Sequence, residues 1–154
     1  MRLPVGLALV AIAVAVLAPA GNGDSRSALV IRVKSVLVAH WTHDVPPAGP
    51  SMGDVAVERD DLFNLDARQF GKPAHALVGT DRATITFVTK TLVRITGVAR
   101  FPAGTVTFAG SSSVSRPTMT VTVTGGTGRY AHVRGTATAG GTATNVNTYH
   151  LTLP

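Results

Sequence analysis

The sequence has no cysteine, a single tryptophan (Trp41) and a single glutamate (Glu58). Without cysteine there are no disulfide staples, although these are common in small exported folds. Thiolate zinc sites, thiol nucleophiles and an acylated lipoprotein anchor are excluded by the same absence. Charged residues make up 14% of the 154 positions, and no run of either sign occurs. The net charge is +6, but Arg32, Lys34, Arg59, Arg82, Arg94, Arg100, Arg116, Arg129 and Arg134 are scattered with little aromatic interleaving. Nucleic-acid binders concentrate such charge on one face, so no nucleic-acid partner is expected. No internal repeat and no amphipathic helix is visible.

Past residue 20 no apolar run is long enough to span a membrane. The one long run, residues 3–17, follows Arg2 and precedes Ala18-Pro19-Ala20. A positive start, a short apolar stretch and a small-x-small site describe a secretory signal peptide over residues 1–20. A membrane span needs about 20 apolar residues, so no stable anchor is expected after cleavage. Residues 21–27 read as a polar linker and 28–154 as one domain, expected to be extracellular.

Within that domain, apolar residues make up enough of the chain to build a core, and Val and Thr dominate the second half. Both are β-branched and favour pleated strands over helices. Period-two alternation predicts strands over 28–42, 54–63, 75–88, 92–101, 105–109, 118–124, 131–139 and 148–153. In the first, Leu29, Ile31, Val33, Leu37, Ala39 and Trp41 share a face. Pro46-Pro47-Ala48-Gly49-Pro50 breaks the chain, Ser111-Ser112-Ser113 reads as a polar connection, and Gly140-Gly141 splits the last two strands. About eight short strands joined by turns predict an all-β, eight-stranded antiparallel up-and-down barrel, which leaves no exposed edge. A two-sheet sandwich is the alternative.

Several motifs carry a family resemblance. Gly53-Asp54-Val55-Ala56-Val57, Asp61-Leu62-Phe63-Asn64, Val78-Gly79-Thr80 and the run from Phe101 to Gly110 resemble allene oxide cyclase-like barrels. Thr124-Gly125-Gly126-Thr127-Gly128-Arg129-Tyr130 and Arg134-Gly135-Thr136-Ala137 extend the likeness, which plant dirigent proteins share. The resemblance covers nearly all of residues 28–154 and points to a bacterial, secreted branch. It implies a barrel that takes a small hydrophobic or aromatic molecule, steers its cyclisation or coupling, and assembles as a homodimer or homotrimer. The plant cyclase's catalytic set includes a Glu and a Cys. This chain has no Cys, and Glu58 does not stand at that enzyme's early-strand position. Gly125, Gly126, Gly128 and Tyr130 are read as a structural turn, the glycines permitting positive φ and Tyr130 capping the barrel end.

For chemistry, Asp81 stands out. It shares a predicted face with Leu77, Ile85 and Phe87, so its carboxyl points into an apolar lumen where desolvation raises its pKa. There it serves as a general acid or anchors a ligand hydroxyl; the plainer alternative is a turn cap or a surface pair. Trp41, Leu77, Asp81, Phe87, Arg94 and Tyr149 are the expected ligand-lining residues, and an Arg94–Asp81 pair is one arrangement to look for. His40 and His43 fall on opposite faces, so no metal site is expected, and no cofactor is implied. No Gly-x-Ser-x-Gly elbow supports a serine hydrolase. Paired-carboxylate chemistry needs two lumenal acids, and only Asp81 has a claim. A filled barrel acting as an exported structural or interaction protein, and a cyclase or isomerase of secondary metabolism, are the competing functions.

Overall fold

The computed structural model describes residues 26–140 and 145–154. The expected leader, residues 21–25 of the linker and Gly141 lie outside that range. Eight strands follow in order: β1 (Ser27–His43), β2 (Val55–Asn64), β3 (Leu77–Phe87), β4 (Leu92–Phe101), β5 (Gly104–Ser113), β6 (Thr118–Gly126), β7 (Arg134–Gly140) and β8 (Val146–Leu153). Each pairs antiparallel with the next, and β8 returns to β1, closing the barrel. Closure gives every ladder a partner, which a chain without disulfides needs at its edges.

Ser111, Ser112 and Ser113 are part of β5, paired with Arg94, Val93 and Leu92, and not the connection their composition suggested. A neighbouring strand with free ladder groups outweighs the loop preference of serine. Gly125 and Gly126 likewise extend β6, and the true turn is a 3₁₀ segment at Gly128–Tyr130. Of the three glycines, Gly128 has the positive φ, +61°. Gly126 serves a different need: a Cβ there would lie 2.2 Å from Thr105 O and 3.0 Å from Tyr130 Cβ. It clears the space into which Tyr130 packs, fully buried at the barrel end.

Three register shifts bend the wall. Val38 is an extra residue against β2, Val78 an extra residue against β2 from the other side, and Thr124 an extra residue against β5. Bulges of this kind supply the local curvature a small barrel requires. Each also inverts the inside–outside parity of the residues beyond it, because side chains alternate with period two.

The barrel is filled unevenly. Where β2, β4, β6 and β8 end, Phe101 is the centre of an aromatic plug. Phe70 stacks on it at 5.3 Å, while Tyr130 and Tyr149 meet it edge-on at 6.1 and 5.4 Å. Val33, Leu62, Val78, Ala99, Val106, Val123 and Val133 complete that buried half. Asn64 is fully buried here and ties the following loop down. Its Nδ2 donates to the carbonyls of Gln69, Lys72 and Pro73, which holds Phe70 over the plug.

Candidate functional site

At the other end the interior is not filled, and a cavity of about 310 Å³ remains above Tyr149. The side chains that would occupy it are small. Ala83, Ala137, Ala139 and Gly140 line it, and Phe108 lies back across Gly97, where a Cβ would sit 2.4 Å from the ring. A glycine facing inward on β4 thus lets the Phe108 ring lie flat against the wall instead of crossing the lumen.

The cavity has two unlike walls. Ile95, Phe108, Met119, Val121 and Ala137, on β4 to β7, make an apolar side. Opposite them, Ser35 on β1, Glu58 and Asp60 on β2, Asp81 on β3 and Asn147 on β8 make a polar one. Of the acids, the sequence credits Asp81 alone with a lumenal position. Glu58 and Asp60 join it because they alternate with outward Val57, Arg59 and Asp61 on a strand too polar to look half-buried. The signal that could have found them is their period-two spacing with buried Leu62 and Asn64.

Asp60 and Asp81 are direct cross-strand partners, and Ala99 continues the row on β4. Asp60 Oδ2 accepts a hydrogen bond from Ser35 Oγ, while its buried Oδ1 has no partner among the described residues. Asp81 is 7% exposed, and its one hydrogen bond among the described residues comes from Asn147 Nδ2 at 3.4 Å. Burial, then the nearby carboxyls of Asp60 and Glu58, push the Asp81 pKa up to about 7, against a small opposing effect of Asn147. Glu58 is raised too, first by burial and then by Asp60, with His40 pulling the other way. Tyr149 is raised by burial and by Asp81, so it is a neutral phenol on the cavity floor. Asp81 is therefore a carboxyl that, beside two other acids, changes charge near neutrality inside the cavity, the property a general acid or a titrating ligand anchor requires.

The other expected lining residues fall elsewhere. Trp41 is 54% exposed on the outer wall, beside Val57, Arg59 and Arg82, because the Val38 bulge reverses the parity of β1. Leu77 is turned outward by the Val78 bulge in the same way. Arg94 is exposed, since Val93 and Ile95 take the inner face of β4, so it stands on the opposite side of the wall from Asp81. Phe87 packs against the core at the end of β3 and does not line the cavity; its N–H and C=O pair with Asp54 O and Gly53 N. That loop is held in turn by the Asp54 carboxylate, which accepts from Val45 N and Ser51 N at 2.7 Å each. Tyr149 does line the cavity. Among the described residues no group of three or more His, Asp or Glu side chains is arranged to hold a metal ion.

The fold defines a class: a small closed barrel, plugged at one end, with a cavity at the other. Solved structures that share this barrel fold include a pyocyanin demethylase, dirigent proteins and Diels–Alderases. A pyocyanin demethylase matches with a TM-score of 0.66 at 24% identity, over 82% of this chain and 100% of the other. A pterocarpan synthase dirigent protein matches at 0.58 and 17% identity, over 84% of this chain and 94% of the other. A Diels–Alderase from Streptomyces koyangensis matches at 0.60 and 17% identity, over 82% of this chain and 63% of the other. No protein-family model matches the chain, and no curated protein does.

Proposed function

We propose that the protein is an exported barrel that encloses a small hydrophobic or aromatic molecule in its half-open lumen and steers that molecule's cyclisation or coupling. The observation that carries this reading is the cavity itself: about 310 Å³, apolar on one side and polar on the other. That volume is at the small end of ligand pockets, which run from about 300 Å³, and two unlike walls fix a guest's orientation. Orientation is the larger part of catalysis for an intramolecular ring closure, where held geometry replaces strong acid–base groups. Asp81 is the polar anchor, donating a hydrogen bond in its protonated form. The charged start, apolar stretch and small-x-small site of residues 1–20 support export, and the dirigent and Diels–Alderase neighbours support the class of chemistry.

The test is calorimetric titration of the mature chain with fatty-acid, polyphenol and aromatic-cation probes, alongside Ala139→Phe, which fills the cavity from β7. Binding that disappears in Ala139→Phe supports the reading. Failure of the whole panel to bind, or equal binding by both proteins, refutes it and leaves a structural or interaction protein as the better account.

A further inference from the structure

The chain as a whole is basic, yet three of its eight carboxylate residues line one cavity. No Lys, Arg or His lines it among the described residues. Around Asp81 the facing groups are Asp60 and Glu58 from β2, Ser35 from β1, the apolar Ala99 from β4, and Asn147 with the neutral phenol of Tyr149 from β8. His40, whose side chain is exposed, pairs across the ladder with Glu58. Asp60 and Asp81 sit directly opposite each other, a like-charge pairing that a sheet disfavours. Among the described residues one Asp60 oxygen is buried without a partner, and Asp81, nine-tenths buried, has a single long hydrogen bond.

Buried acids normally have a compensating partner, and among the described residues none lies within the cavity. Resting on the lumenal-binding reading above, we infer that the guest supplies it: the lumen takes a small apolar or aromatic molecule bearing a positively charged nitrogen. The cation lies against the Glu58–Asp60–Asp81 wall, and its hydrocarbon body lies against Ile95, Phe108, Met119 and Val121. An anionic guest would add to the uncompensated charge. A bare metal ion is a poor occupant, since the described residues offer no cluster arranged to ligate one.

Charge pairing couples binding to a proton. With the cavity empty, Asp81 holds its proton up to about pH 7. A cation beside it favours the ionised form, so Asp81 releases that proton as the guest enters below neutrality. Affinity for a cation of fixed charge therefore rises with pH and levels off above the Asp81 transition.

The experiment compares 1-methylquinolinium, neutral 1-methylnaphthalene and anionic 1-naphthoate on the mature chain, by calorimetry at pH 6 and 8 in buffers of different ionisation enthalpy. The expected result is cation affinity at least ~10-fold above the neutral isostere, about 1.4 kcal/mol. Proton release should appear at pH 6, and naphthoate should bind least. Asp81→Asn should abolish the pH step and Asp60→Asn should weaken the cation, each lowering affinity for the cation more than for 1-methylnaphthalene. His40→Asn should keep the step. Equal affinity for cation and neutral isostere would overturn this inference while supporting a binding lumen. Failure of all three probes would overturn both.

Discussion

The two halves of the barrel are built from the same strands with the same alternation, yet one is solid and the other hollow. In the plugged half, inward positions carry Leu62, Val78, Phe101, Val123, Tyr130 and Leu151, and the rings meet at 5.3 to 6.1 Å. In the hollow half the same strands present Glu58, Asp60, Asp81, Ala83, Ala137 and Ala139. The difference lies in side-chain volume and charge, not in backbone pattern. The plug stabilises the closed barrel, which lets the other half hold small side chains and poorly compensated acids.

This contrast can be broken most sharply at Phe101. Phe101→Ala removes the ring on which Phe70, Tyr130 and Tyr149 converge, and should cost ~3–5 kcal/mol by urea unfolding. Phe108→Ala, the matching change in the hollow half, should cost clearly less because one side of that ring already meets the cavity. Equal losses would show that both halves are packed alike.

A smaller effect is expected from pH. The unfolded chain releases the Asp81 proton near the ordinary carboxylate pKa of 3.8, while the folded chain keeps it until about 7. Between those values the folded state binds more protons, so stability falls as pH rises and is flat above the window. Asp81→Asn removes this dependence. At pH 8 the variant should exceed the parent by a few kcal/mol, since each tenfold difference in proton affinity between folded and unfolded chains is worth ~1.4 kcal/mol. The lowered pKa of Asp54, set by its bonds from Val45 and Ser51, acts with the opposite sign at more acid pH, so the difference between the two proteins is the quantity to measure. A parent and variant with parallel pH profiles would show that Asp81 is not desolvated.

Asn64→Ala should cost ~2–3 kcal/mol, because three carbonyls lose a donor where the loop covers the plug. Faster hydrogen exchange confined to residues 65–76 would locate the loss. The smallest effects should come from Trp41→Ala and Leu77→Ala, within ~0.5 kcal/mol and without change in guest affinity, since both side chains are on the outer wall. A lost ligand in either variant would return them to the lumen.

Much of the wall was legible before the structure. Ile31, Val33, Asp81, Ile85 and Tyr149 point inward as period two requires. The errors cluster beyond bulges: Trp41 after Val38 and Leu77 before Val78 are on the wrong side by one residue. A bulge leaves no compositional mark, since it depends on where a neighbouring strand can keep its hydrogen bonds. Glu58 and Asp60 were missed for a related reason: acids on an alternating strand look solvent-facing until closure decides which face is inside.

The sequence by itself determined strand chemistry, the turns that Gly128 and its neighbours permit, and the absence of any thiol-based staple. Those are local matters of sterics and composition. Which residues share the cavity was decided by the tertiary structure. Barrel closure and three one-residue shifts set the parity of each strand, and parity brings Glu58, Asp60 and Asp81 together while sending Trp41 and Arg94 outside.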